Sequence, residues 1–119
     1  MTRYRVSHAA RSDIVDILAW SQCQFGEQAR QRYEKLIAAG IRDIFADPTR
    51  PGSIARPELG DGVRSWHLRG SRTHTRSGVV RRPRHFLIYR VEDEIVVIGR
   101  VLHDAMELRR HVDADVSWD

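Results

Sequence analysis

Arg64, Arg100 and His103 fall on or beside segments with strand composition, and together they contain what an in-line attack on a phosphodiester requires. That chemistry needs a group to take the 2′-hydroxyl proton, a donor to the leaving oxygen and cations for the phosphate. The same residues serve equally well without chemistry, with the arginines pairing to acids or to a partner and His103 acting as a hydrogen-bonding scaffold residue. His67, His74, His85, His103 and His111 invite a metal, but no pair has the i, i+4 spacing of a helical ligand set and no carboxylates accompany them. Neither a metal nor a cofactor is expected. The chain has no glycine-rich phosphate loop, no GxSxG and no HExxH. Cys23 is the only cysteine, so there is no internal disulfide and no cysteine-based zinc site. It reads as a small buried residue on a helix.

The 119 residues suit one domain with one core, and 41% apolar and 30% charged residues are ordinary for a folded protein. The basic residues are less ordinary. Nineteen of the twenty are arginine, Lys35 being the exception, and the formal charge of +4 is unevenly spread. Residues 1–49 carry +1, residues 50–90 carry +8 and residues 91–119 carry −5. A positive block of that density suits an anionic partner, either nucleic acid or an acidic polypeptide. The N-terminal stretch lacks the apolar core of a secretory signal and no apolar run is long enough to span a membrane, so a cytoplasmic location without a membrane partner is expected.

The elements that must position these residues follow from pattern. Tyr4 to Ser7 reads as a first strand. Ser12 offers a cap, with Asp13 and Asp16 in the first turn, to a short helix that buries Ile14, Ile17, Leu18 and Ser21 and ends near Phe25-Gly26. From Glu27 a period of about 3.6 runs through Tyr33, Leu36, Ile37, Gly40, Ile41 and Ile44 until Asp47-Pro48 stops it. Residues 48–62 read as a connection rather than an element. Val63 to Leu68, His85 to Val91 and Ile95 to Leu102 read as three strands of an antiparallel meander, the last two joined by a tight acidic turn at residues 92–94. Asp104 to His111 reads as a short C-terminal helix or a frayed end, and disorder is expected beyond Val112. The expected domain is 1–112, with 113–119 as a C-terminal tail.

The order strand, helix, helix, strand, strand, strand indicates a two-layer α+β fold, an antiparallel helical hairpin on a curved antiparallel sheet. Strict alternation in the last strand places Ile95, Val97, Gly99 and Val101 on one face and Val96, Ile98, Arg100 and Leu102 on the other. Two helices cover one set only. The tail, a second copy or a partner must cover the other. Between the first two meander strands, Gly70 to Arg84 holds Arg72, Arg76, Arg81, Arg82 and Arg84. It reads as a solvated loop or as an arm for an anionic partner. Trp66 and Tyr89 read as core or groove-lining aromatics.

These residues resemble a known family. Asp13-Ile14-x-x-Ile17 followed by Phe25-Gly26-x-x-Ala29-x-x-x-Tyr33 is similar to the helical hairpin of the ParE/RelE toxins of type II toxin–antitoxin modules. Arg84 to Arg90 resembles their central strand. The run RVLHDxMxLxRH, from Arg100 to His111, is much closer to the ParE branch than to the RelE-type nucleases. With Asp47-Pro48 and Val63-Arg64-Ser65 the resemblance spans nearly the whole chain.

The resemblance implies a toxin that binds and inhibits DNA gyrase without a catalytic centre and arrests growth until its antitoxin neutralises it, with a role in plasmid stabilisation. The alternative it implies is a RelE-like ribosome-dependent mRNA endoribonuclease using Arg64, Arg100 and His103. The single lysine and the absence of tyrosine after Tyr89 depart from the nuclease pattern. By the same resemblance the antitoxin carries an acidic or amphipathic C-terminal segment. It and the target meet Arg64, Trp66, Arg84, Tyr89, Arg90, Arg100, His103, Met106 and Leu108. Operator DNA is contacted only through the toxin–antitoxin complex.

Overall fold

A buried serine decides where the first helix begins. In the computed structural model, which describes residues 4–75, 79–105 and 118–119, strand β1 (Tyr4–Val6) runs directly into helix α1 (His8–Phe25). The Ser7 hydroxyl accepts the Ala10 amide proton at 3.1 Å, and this N-cap starts α1 about one turn before Ser12, the cap expected from sequence. Asp13 therefore lies beyond the first turn, free for a tertiary role. Ile14, Ile17 and Leu18 pack half-buried on the core and Ser21 is buried, as the pattern implied. Cys23 is exposed, contrary to the buried role expected of it, because it lies off that face.

Gly26 alone joins α1 to helix α2 (Glu27–Ala46). Its φ of 93° is open to glycine at little cost, and its amide closes on Gln22 while its carbonyl accepts from Arg30. Along α2 the 3.6 periodicity holds, burying Leu36, Ile37, Ile41 and Ile44. Gly40 permits close approach, since a Cβ there would lie 2.6 Å from Leu68 Cδ2. The connection after α2 contains a two-residue strand, β2 (Ile54–Ala55), and a 3-10 turn over Pro57–Leu59. Two residues are too few to leave an alternating pattern.

Strands β3 (Arg64–His67), β4 (His85–Glu92) and β5 (Ile95–His103) form the expected antiparallel meander. The whole sheet, in the order β1-β5-β4-β3-β2, is mixed rather than antiparallel, because β1 pairs parallel to β5. Both helices and strands β2 to β4 lie between the two in the chain, and β5 then runs beside β1 in the same direction.

Strict alternation fails in β5. Ile88 pairs with Arg100 but Tyr89 pairs with Ile98, so Gly99 has no opposing residue and the strand carries a bulge. Val96, Ile98 and Val101 all join the core under the helices, with Leu87 and Tyr89, whereas Leu102 joins Val63, Phe86 and Ile88 in a second cluster on the other face.

That second face is covered by the C-terminus. Trp118 packs on the second cluster and lies against Gly99, where a Cβ would come within 2.6 Å of its ring. Arg90 lies over the indole, 4.3 Å from its centroid, Arg5 donates to the Trp118 carbonyl, and the His8 amide donates to Asp119. Trp118 and Asp119 are thus held, against the disorder expected beyond Val112. The expected helix at 104–111 lies largely outside the described residues.

The start of the arginine-rich insert is folded as well, as a 3-10 helix over Leu68–His74. Asp43 of α2 anchors it, accepting from Ser71 at 2.5 Å and from His74 at 2.6 Å, while Ser71 accepts from the Trp66 indole at 2.9 Å.

Removing the indole with Trp118→Ala is expected to lower unfolding free energy by about 2 kcal/mol, roughly half the cost of emptying a fully buried aromatic site. Urea denaturation reads this directly. Unchanged stability would show that Trp118 does not cover the outer face.

Candidate functional site

His67 at the end of β3, His85 at the start of β4 and His103 at the end of β5 are brought to one end of the sheet by the register His67↔Phe86 and His85↔His103. Tyr33 reaches this end from α2. Its hydroxyl accepts the Arg84 amide proton at 3.2 Å and donates to His85 Nδ1 at 2.6 Å. Burial pushes the Tyr33 hydroxyl up to about 12, so it keeps its proton. Burial, followed by repulsion from His103 at 5.2 Å between ring centroids, lowers His85 to about 4. Neutral His85 is the form able to accept from Tyr33, which puts its proton on Nε2.

The other two histidines adopt the same tautomer by a different device. His67 Nδ1 accepts the Arg69 amide and His103 Nδ1 accepts the Ala105 amide. His67 Nε2 then donates to Asp104 at 3.0 Å, and Arg84 Nε donates to the other Asp104 oxygen at 3.1 Å. Partial burial raises the Asp104 carboxyl, but hydrogen bonds from His67 and Arg84 outweigh it and leave the carboxyl below its usual range. The cluster therefore engages all three Nδ1 atoms within the fold and holds one carboxylate balanced by an arginine. No group of three or more histidine, cysteine or acidic side chains among the described residues is arranged to hold a metal.

The residues singled out from sequence are dispersed. Arg100 donates twice to Asp13 of α1, at 2.7 and 3.0 Å, and this pairing raises its pKa further. Arg64, two strands away, donates to the Ser53 hydroxyl at 2.7 Å. His103 is three residues beyond Arg100 on β5, a rise of about 10 Å. Arg64, Arg100 and His103 consequently do not converge on one point. Trp66 and Tyr89 are core residues, 5% and 0% exposed, and the Tyr89 hydroxyl donates to the Pro48 carbonyl. Arg84 is exposed beside Asp104, and Arg90 is paired with Glu92 and stacked on Trp118. Met106 and Leu108 lie outside the described residues.

Tyr33, Asp104 and Asp13 stood in the sequence as element and motif residues, not as site residues. A tyrosine on the apolar stripe of a helix looks like core, and the two aspartates gain meaning only from partners far along the chain. Beside the histidine end, between the tip of the helical hairpin and residues 79–84, lies a cavity of about 570 Å³. Its apolar walls include Trp20 and Phe25, which are 57% and 68% exposed.

The His85 shift has a pH consequence. Its pKa is about 4 in the fold against 6.5 when unperturbed, so between these values the unfolded chain binds more protons. The stabilisation is complete above about pH 6.5 and is lost as pH falls toward 4. Urea unfolding across that window is expected to show the wild type losing stability more steeply than His85→Gln. Parallel curves would contradict the buried neutral imidazole.

Similarity to known proteins agrees with this architecture. Residues 4–108 match the family model described as ParE toxin of type II toxin-antitoxin system, parDE. The chain is also 30% identical over 112 residues to Toxin ParE1 of Caulobacter vibrioides, an alignment covering 94% of this chain and 99% of that protein. With its helical hairpin, its meander and this match over most of its length, the chain belongs to the ParE toxin family of type II toxin–antitoxin systems.

Proposed function

We propose that this toxin arrests growth by binding DNA gyrase and stabilising its cleaved-DNA state, and that a cognate antitoxin relieves the arrest. The observation that carries a binding mode over nuclease chemistry is the bidentate Asp13–Arg100 pair. An arginine committed to a carboxylate on another element is a poor candidate for charge stabilisation at a scissile phosphate. Gyrase as the target rests on the resemblance of the Arg100–His111 run to the ParE branch. Family membership implies an antitoxin, and the +8 of residues 50–90 suits one with an acidic or amphipathic C-terminal segment. Acids of that segment would meet the exposed Arg84 and its neighbours, and operator DNA would be reached only through the complex. The site of action is the cytoplasm. No helix among the described residues is long and apolar enough to cross a membrane.

Purified toxin is expected to inhibit gyrase supercoiling and accumulate cleaved DNA, both reversed by stoichiometric antitoxin. Ribosome-dependent cuts in mRNA with supercoiling unaffected would overturn this in favour of the RelE-like reading. In that case His103→Ala should abolish cleavage in a folded protein.

A further inference from the structure

The cavity at the hairpin tip has a composition that neither the histidine cluster nor the family assignment explains. One wall is apolar and aromatic. Ile17, Trp20 and Phe25 come from α1, and the Trp20 and Phe25 rings meet edge to face at 5.6 Å. Val79, 53% exposed, and Val80 face them from the insert. The rim is cationic, with Arg32 on α2 and Arg81, Arg82 and Arg84 on the insert, and among the described residues no carboxylate belongs to the lining. Asp104 engages Arg84 from outside, which leaves Arg32, Arg81 and Arg82 as the cations facing a ligand.

Two large aromatic side chains exposed beside three arginines are unfavourable in an empty site. The rings hold apolar surface in water and the guanidiniums gather like charge on one rim. A ligand that relieves both must have a flat apolar body and negative charge. A volume near 570 Å³ lies within the roughly 300–1,000 Å³ of small-molecule sites, so the cavity takes one compact ligand. An elongated helix would need a longer groove. Arginine forks suit phosphate oxygens, and exposed tryptophan suits a base. Tyr33 and His85, joined through Nδ1 of the imidazole, also belong to the lining.

We propose that this cavity binds a nucleoside phosphate, the base against Trp20, Phe25 and Val79 and the phosphates against Arg32, Arg81 and Arg82. The ligand is a free nucleotide or the terminal nucleotide of a single strand, which share this chemistry. The site does not depend on gyrase being the target, so nucleotide binding and supercoiling inhibition can fail separately.

Isothermal titration of the full chain with ATP, adenosine, tripolyphosphate and a 5′-phosphorylated single-stranded octanucleotide tests it. ATP or the octanucleotide should bind saturably at one site. Adenosine and tripolyphosphate should each bind at least about tenfold more weakly than ATP, because each lacks one half of the recognition. The Arg81→Ala/Arg82→Ala double variant and Trp20→Ala should each weaken binding about tenfold, and Trp20→Phe should retain most of it. These positions are exposed, and circular dichroism confirms that each variant is folded. An octanucleotide at least tenfold tighter than ATP assigns the site to a strand end, and comparable affinities assign it to the free nucleotide. The proposal is overturned by no saturable binding of either ligand at millimolar concentration. It is also overturned by tripolyphosphate binding as tightly as ATP, or by affinity that folded arginine or tryptophan variants leave unchanged.

Discussion

One aspartate carries the junction between the two layers of this fold. Asp13, on the second turn of α1, accepts from Arg100 Nε, from Arg100 Nη2 and from the Val101 amide at 2.7, 3.0 and 2.9 Å. The three donors belong to the residues that follow the Gly99 bulge in β5. Ser7 completes the junction from the start of the same helix. Its amide donates to the Ile98 carbonyl at 2.9 Å, its hydroxyl donates to the Gly99 carbonyl at 2.8 Å, and the same hydroxyl caps α1. A bulge leaves backbone groups without their ladder partners, and buried groups of that kind are costly unless satisfied. Here the start of one helix satisfies them, so the bulge and the helix origin stabilise each other.

The rest of the architecture follows from that junction. Without the extra residue, Val101 would share a face with Val97 and leave the core beneath α1. With it, Ile98 and Val101 both point into the main cluster and Leu102 is delivered to the outer one. Gly99 also presents a surface without a side chain, on which Trp118 lies. His103 is carried to the position opposite His85, where the rings pack edge to face and repulsion helps keep His85 neutral. A packing device in the middle of β5 thus adds to the burial that keeps His85 neutral.

Much of this was legible in the sequence. The α2 stripe, the meander and the two-layer α+β arrangement follow from apolar periodicity, a signal that survives because burial dictates it. The need for a cover on the second sheet face was also visible, though its supplier was not, since a lone tryptophan near a chain end carries no periodicity. The helix start was misplaced because Ser7 and Ser12 offer the same capping chemistry, and only the Gly99 carbonyl chooses between them. Asp13 read as a helix-dipole residue for the same reason, its partner lying 87 residues away. The glycine within β5 was the available warning of a bulge, and strict alternation overrode it. The arginines of the middle block looked alike in composition. In the structure they divide into structural residues such as Arg64 and Arg90 and a cationic rim at the hairpin-tip cavity.

If Arg100 holds the two layers together, its loss and the loss of Asp13 remove one and the same interaction. A double-mutant cycle on stability, with Asp13→Ala, Arg100→Ala and the pair, tests this most directly. Each single change should cost about 2 kcal/mol, the scale of charged hydrogen bonds, and the double variant should cost little more than either single. Additive losses would contradict the junction, as would an Arg100→Ala protein of wild-type stability that no longer arrests growth, because that pattern belongs to a residue acting on a target.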